Sequence, residues 1–384
     1  MLMRMDSAST PAAPPKPFRV LVCDDQPDVL EAMRLLLKGH GHHAVTVDSP
    51  RDLLRTARDQ AFDLIVADLN YTRDTTSGQE GLDLLASLEA QGNVTPVVVM
   101  TAWGSVDLAV EAMRRGACDF IQKPWDNNRV IAVIRKQAQV ERRRRSELEI
   151  AANVQQKLFP HSPRRNLETI EYAGHCVAAR EVGGDYYDFL EVSGNSSAFV
   201  LGDVSGKGVP AALLMANLQA CFRSQEPQAL LEPAHVLETV NRHFYDSTAA
   251  ERFATLFLGV YDDRTRALRY VNCGHVAPML LRASGEMETL EPTATVLGAF
   301  RRWSCAERAT VLAPGDLLAV YSDGVTEAET VSGEEFGEQR LIKVLRENAA
   351  QPAAAVVEAI VDEVTRFSHG SRYDDVTVVA LRGL

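Results

Sequence analysis

Between residues 18 and 124 the chain alternates five times between a short apolar run and a helical or turn segment. The runs are RVLVC, HAVTV, DLIVA, VVVMT and DFIQ. The first four lead into VLEAMRLLLKGH, DLLRTARDQ, GLDLLASLEAQG and SVDLAVEAMRRGA. Strands separated by helices pair in parallel through crossovers, and a parallel sheet needs cover on both faces. The pattern predicts a doubly wound α/β domain over 18–127 with a five-stranded parallel sheet. Residues 1–17 (MLMRMDSASTPAAPPKP) are rich in Pro, Ala and Ser, and are expected to be a disordered lead.

The rest of the 384 residues leaves room for more than one further element of organisation. Residues 128–160 carry eight Lys or Arg (Arg129, Arg135, Lys136, Arg142, Arg143, Arg144, Arg145, Lys157) against three Glu, with no Gly or Pro before Pro160. This reads as a continuous helical linker. Ile131, Ile134, Ala138, Leu148, Ala152 and Phe159 mark a seam for a second copy, interrupted by Glu141 and Arg145. From 161 to 384 the style changes to strand-like runs in hairpin order (AFVLGDV, TLFLGVYD, LRYVNCG, APMLLRA, DLLAVYSDG, DVTVVAL), with helical stretches at 209–223, 234–246 and 352–367. An α+β sandwich flanked by helices is expected.

Composition excludes several classes. No apolar run approaches the ~20 residues of a membrane-spanning helix. No secretion signal is visible, and six scattered cysteines without a C-x-x-C pair fit reduced thiols, so a cytoplasmic protein is expected. A net charge of −12 argues against nucleic acid as a partner. The GHGHH stretch (His40, His42, His43) reads as a helix stop rather than a metal site.

Ligand sites in parallel sheets form at the carboxyl ends of strands. Asp24 and Asp25 follow the first run, Asp68 the third, Thr101 ends the fourth and Lys123 follows the fifth. Clustered carboxylates suit a hard cation such as Mg²⁺, and a lysine beside them can hold a phosphoryl group. These residues resemble those of a response-regulator receiver domain, with a flavodoxin-like fold. The resemblance implies Asp68 as phosphoacceptor, Asp24, Asp25 and Asp68 as Mg²⁺ ligands, Thr101 and Lys123 as phosphoryl contacts, and Phe120 as the switch aromatic. It also implies a cognate histidine kinase. The loop after Asp68 (NYTRDTTSGQEG) is longer than in most receivers and similar to those of the nitrogen-regulation subclass.

Four acidic motifs are spread through the C-terminal half: EVGGDYYDF (Asp185), VLGDVSGKG (Asp203), VYSDGVTEAE (Asp323) and RYDDVTVVAL (Asp374, Asp375). If folding gathers them, they can hold two divalent ions and activate water towards phosphate. In this order, with NVQQKLFP, FATLFLGVYD and the NCGH turn (Asn272–His275), they resemble the PPM family of metal-dependent Ser/Thr phosphatases in its SpoIIE/RsbU branch. The resemblance implies two Mg²⁺ or Mn²⁺ held by Asp185, Asp203, the Val204 carbonyl, Asp323 and Asp374. Asp375, Arg180 and Gly184 are accessory candidates. Asp188 reads as an exposed strand residue in slight preference to a support behind the metal ligands, Arg180 as a solvated or structural arginine in preference to a phosphate anchor, and His275 as a turn histidine in preference to a general acid.

A receiver followed by a phosphatase implies a switch: phosphorylation of Asp68 changes linker-helix association in a homodimer and shifts the helix at 209–223. The substrate implied by the resemblance is a phosphorylated STAS-type anti-sigma-factor antagonist. The competing readings are an adaptor with a silent phosphatase fold, which predicts lost metal carboxylates, and a DNA-binding regulator. The latter lacks a recognition-helix unit, and the Arg142–Arg145 run is expected on a solvated helix face.

Overall fold

The computed structural model describes residues 16–71, 78–101, 106–161, 164–192, 195–248, 251–330, 332–370 and 373–384. The lead, apart from Lys16 and Pro17, and most of the long loop after Asp68 lie outside these residues. The chain divides into two compact units, 1–147 and 148–384.

The first unit runs β1 (Arg19–Cys23), α1 (Pro27–Gly39), β2 (His43–Val47), α2 (Pro50–Asp59), β3 (Leu64–Asp68), α3 (Gln79–Ala90), β4 (Val97–Thr101), α4 (Val106–Arg114), β5 (Asp119–Gln122) and the first part of α5 (Asn127–Gln156), whose last residues belong to the second unit. All strand pairs are parallel, in the order β2-β1-β3-β4-β5. Both faces of β1, β3 and β4 are buried, which is why these strands read as unbroken apolar runs. Helix α1 stops at the GHGHH stretch, where Gly41 takes φ +76°, and Ser49 caps α2 by accepting the Asp52 amide.

The stretch expected as a linker from 128 begins inside this unit. Val130, Ile131, Ile134 and Ala138 of α5 are buried against Val20, Val22, Met33 and Leu37. The first half of the seam expected to face a second helix therefore faces the receiver's own core, because a parallel sheet needs its last helix for cover. Within the basic run Arg143 is exposed, as expected of a solvated face, while the partly exposed Arg142, Arg144 and Arg145 are also engaged locally. Arg142 pairs with Asp63 at 2.8 Å and lies 4.3 Å from the Phe18 ring centre, and Arg145 donates to the Phe62 carbonyl. Glu141, 5% exposed, takes Arg144 and Arg145 as partners.

The second unit contains β6 (Arg164–Asn166), β7 (Ile170–Val177), β8 (Tyr186–Glu191), β9 (Ser196–Val204), α6 (Val209–Arg223), α7 (Pro233–Ser247), β10 (Ala254–Asp262), β11 (Ala267–Cys273), β12 (Met279–Leu281), β13 (Met287–Thr289), β14 (Arg308–Val311), β15 (Leu317–Tyr321), α8 (Asp323–Thr326), α9 (Gly337–Glu347), α10 (Ala353–Phe367) and β16 (Val376–Gly383). Its two antiparallel sheets have the orders β14-β11-β10-β9-β8 and β13-β12-β15-β16-β7-β6. Phe189, Phe199, Leu201 and Phe257 of one sheet meet Leu318, Val320, Val379 and Leu381 of the other. Helices α6 and α7 cover the outer face of the first sheet, α9 and α10 that of the second. Every inner strand is thus buried on both sides, giving an α/β/β/α sandwich. Among the described residues no helix is long and apolar enough to cross a membrane.

Candidate functional site

In the receiver, pairing in the order β1-β3-β4-β5 brings four carboxyl ends side by side. Asp24, Asp25 and Asp68 offer oxygens all within 4.8 Å of one another. Lys123 Nζ lies 2.6 Å from Asp24 Oδ2 and 2.7 Å from Asp68 Oδ2. Burial raises the Asp68 carboxyl above its usual range, with the Lys123 ammonium pulling the other way. Burial also opposes the charge on Lys123, but hydrogen bonds to Asp24 and Asp68 outweigh it and hold the ammonium charged. Thr101 is buried at the end of β4, and Phe120 on β5 is half-buried against the same core. Asp24, Asp25, Asp68 and Lys123 therefore share one acidic pocket with one cation, a donor set that fits Mg²⁺.

In the second unit, β8 begins where β9 ends, and β16 begins where β15 ends, because both pairs are antiparallel. Asp185 precedes β8, Asp203 is the penultimate residue of β9, Asp323 opens α8 just after β15, and Asp374 and Asp375 precede β16. All five come from one end of the sandwich. The crowding shows in their acidities. Burial, and then the charges of Asp203 and Asp375, push Asp185 well up; burial, then Asp323, Asp374 and Asp375, push Asp203 up to about 7. Asp323 is raised by burial and by Asp374.

Asp185 Oδ2 is buried without a hydrogen-bond partner, a costly arrangement that a cation would relieve. A Cβ on Gly184 would stand 2.8 Å from the Val204 carbonyl oxygen and 3.6 Å from Asp203 Oδ1, so only glycine lets this loop approach. An all-oxygen donor set, an orphaned carboxylate oxygen and a glycine cradle fit Mg²⁺ or Mn²⁺. Among the described residues, only the receiver trio has three carboxylates within 4.8 Å of one another. At the sandwich edge a lysine takes part of the neutralising role: Lys207 Nζ sits 2.7 Å from Asp374 Oδ2 and donates to the Tyr373 carbonyl.

The accessory candidates fall into different places. Asp375 Oδ1 accepts the Ala179 amide at 2.7 Å, and Oδ2 accepts Gly184 at 2.7 Å and Asp185 at 3.2 Å. Its oxygens face backbone donors, so it holds the loop that carries Asp185. Arg180 is exposed and borders a small cleft with Lys207 and Asp374. His275 is a turn residue: its amide donates to Asn272 Oδ1 and its Nδ1 lies 2.9 Å from the Thr255 hydroxyl. Burial pushes its imidazole down to about 4, which suits a neutral strut and not a proton donor.

One expectation is overturned. Asp188, read as exposed, is fully buried and makes a two-pronged pair with Arg223 of α6, at 2.7 and 2.5 Å, while accepting the Tyr186 hydroxyl. The reason is the helix layer: the face of β8 that would meet water in an open sheet lies under α6. Lys207 and Gln155, which sequence reasoning passed over, lie inside the quoted motifs VLGDVSGKG and NVQQKLFP, so motif membership was the available signal.

Comparison with known proteins agrees with both halves. Residues 193–383 match the family described as stage II sporulation protein E (SpoIIE), and residues 20–135 match the response regulator receiver domain. The chain is 31% identical over 240 residues to phosphoserine phosphatase RsbU of Bacillus subtilis, covering 62% of this chain and 70% of that protein. It is 35% identical over 120 residues to response regulator protein FleR of Pseudomonas aeruginosa, covering 31% of this chain and 24% of FleR. The SiaA-PP2C domain of Pseudomonas aeruginosa shares the sandwich fold, with a TM-score of 0.54 at 20% identity over 63% of this chain and 98% of that domain. The chain belongs to the SpoIIE/RsbU family of PP2C-type serine/threonine phosphatases, with a response-regulator receiver domain ahead of the phosphatase fold.

Proposed function

We propose that this protein is a response regulator whose output is metal-dependent dephosphorylation of phosphoserine or phosphothreonine on a regulatory protein, under control of Asp68. The observation that carries the reading is the gathering of Asp185, Asp203, Asp323 and Asp374 at one end of the sandwich, with Asp185 Oδ2 buried and unpaired. These four side chains, with the Val204 carbonyl, would hold the ions. Divalent ions at such a site lower the pKa of bound water and offset phosphoryl charge. Arg180 and Lys207 supply cationic groups at the open side of the carboxylates, suited to orient phosphate oxygens. His275, neutral and enclosed, keeps the start of β10 beside its turn.

In the receiver, the Asp68 carboxylate is the acceptor: the N–P bond of a kinase phosphohistidine breaks as an Asp68 O–P bond forms. Asp24, Asp25 and Asp68 would hold Mg²⁺, and the Lys123 ammonium, already shared between Asp24 and Asp68, balances the added charge. Helix α5 is the covalent route from this event, since it starts in the first unit and ends in the second. Helix α6 is the natural element to reposition, because its Ala211 lies where a Cβ on Gly184 would touch it.

Similarity to RsbU supports a phosphorylated STAS-type anti-sigma-factor antagonist as substrate, docked by residues 234–246 and the loops at the carboxylate edge. A homodimer through the linker helix, a cognate histidine kinase and a cytoplasmic setting complete the reading. Incubating the full chain with phosphorylated STAS proteins from the same cell, with and without Mn²⁺, tests it. Ion-dependent phosphate release, abolished in Asp185→Asn, is expected. Rates that change under phosphorylating conditions in wild type and not in Asp68→Asn support the control. No release with any substrate or a small phosphate ester overturns the enzymatic reading in favour of the adaptor.

A further inference from the structure

The loop that carries Asp185 is held from two sides. On one, Asp375 accepts the amides of Gly184 and Asp185. On the other, the side chain of Gln155 makes a paired contact with the preceding residue: its Nε2 donates to the Gly183 carbonyl at 2.7 Å, and its Oε1 accepts the Gly183 amide at 3.1 Å. Three consecutive amides, 183 to 185, therefore end on side-chain acceptors. Gln155 is 8% exposed, and Gly183 has no room to shift towards Asp375, whose Oδ2 would lie 2.0 Å from a Cβ there.

Gln155 is the next-to-last residue of helix α5. The residues just beyond the helix are fastened to the same unit: Phe159 stacks on Tyr187 with ring centres 5.4 Å apart, and the Leu158 carbonyl accepts from Gln219 of α6. The exposed Val154 and Ile150 lie on other faces of the helix. A helix advances ~1.5 Å and turns ~100° per residue, so a slip of a single residue removes both Gln155 bonds at once.

We propose that Gln155 is a positioning residue for the candidate metal site: it fixes the Gly183–Asp185 backbone and makes the placement of Asp185 depend on the register of helix α5. The proposal rests on the reading of Asp185 as a metal ligand and adds the group that orients it. Side chains that orient a ligand from outside typically alter metal affinity by about 10–100-fold when removed.

The test is calorimetric titration of Mn²⁺ into the full chain, comparing wild type with Gln155→Met, which keeps the length and loses both bonds, and Gln155→Glu, which loses the donor. Val154→Ala, on an exposed face of the same turn, is the control, and thermal melts without ion report folding. The expected result is at least about tenfold weaker binding at the phosphatase site in both Gln155 variants, with melts within a few degrees of wild type and the control unchanged. Should Gln155→Met fail to fold, Gln155→Glu carries the comparison. Wild-type affinity in a folded Gln155 variant overturns the proposal. Absence of ion binding in a chain with the receiver site removed (Asp24→Asn, Asp68→Asn), which keeps the phosphatase carboxylates, overturns the reading beneath it instead.

Discussion

The carboxylate of Asp375 accepts the amide of Gly184 at 2.7 Å, joining the residue before β16 in one sheet to the loop before β8 in the other. Ser322 extends the same junction, donating to the Asp375 carbonyl and accepting the Thr377 amide. The five acidic residues thus stand on a frame made of backbone groups, each with a side-chain partner. Removing the Asp375 carboxylate orphans three amides, two of them in buried residues. At about 1–3 kcal/mol for each buried unsatisfied donor, Asp375→Ala should lose at least about 2 kcal/mol in urea unfolding, together with ion binding. Asp375→Asn, which keeps one acceptor oxygen, should fall between. An alanine variant with wild-type stability contradicts this role.

The acidity of Asp203 gives a pH signature. Its value rises from 3.8 to about 7 because of burial and the neighbouring Asp323, Asp374 and Asp375. A group with a raised folded pKa holds its proton longer when folded. The ion-free chain therefore carries no penalty from it below about pH 4, a growing one as pH rises, and the full penalty above about 7. A divalent ion removes that penalty but must displace the proton at lower pH. The rise in melting temperature on adding Mn²⁺ should be small at pH 5.5, grow through pH 7 and level off near 8. A flat profile in wild type, or an equally steep one in Asp203→Asn, would count against the assignment.

His275 contributes with the opposite sign. Burial lowers its pKa from 6.5 to about 4, so its stabilising effect is complete above 6.5 and is lost as pH falls towards 4, where the unfolded chain takes up a proton first. His275→Gln should flatten acid unfolding between those values. The pH–rate profile of kcat should keep its shape, since an enclosed neutral imidazole has no proton to give. Loss of one limb of that profile would restore the histidine as a general acid.

The receiver was legible because its central strands β1, β3 and β4 are buried on both faces and its acidic residues sit at strand ends, two signals that survive in one dimension. Helices α6, α7 and α10 were legible from amphipathic periodicity close to their ends at 209–223, 233–247 and 353–367. Strand β7 was passed over, and β8 was met only as the strand of Asp188 with its outer face misplaced, because IEYAGHCV and YYDFLE mix polar and apolar residues without alternation. In the fold, Tyr187 and Phe189 face the opposite sheet, while Tyr186 and Asp188 face α6. Helix α9 hid in a segment whose apolar face is three residues, Leu341, Val344 and Leu345. Residue types found the candidate carboxylates. The groups that hold them, Gln155, Lys207 and the oxygens of Asp375, act through backbone and ion-pair partners that only the fold assembles.

Asp188 and Arg223 illustrate how such a partner can be tested. The pair ties the last residue of α6 to β8, three residues beyond Asp185, while the first turn of the same helix lies against Gly184. Asp188 is fully buried and Arg223 is 46% exposed, so the two are not equivalent. Removing the arginine leaves a buried charge held only by the Tyr186 hydroxyl and the Phe189 amide. Breaking a fully buried pair costs about 3–5 kcal/mol, and the half-exposed guanidinium reduces this towards about 2. Replacing both by Leu and Met removes the stranded charge, so the double variant should be less destabilised than the sum of the singles, with a coupling of about 1–2 kcal/mol. Phosphatase activity should fall in Arg223→Met by more than the unfolded fraction explains, because the far end of α6 is released from the strand that follows Asp185. Additive energies in the double-mutant cycle, or a loosened helix with full activity, would show that this anchor does not reach the site.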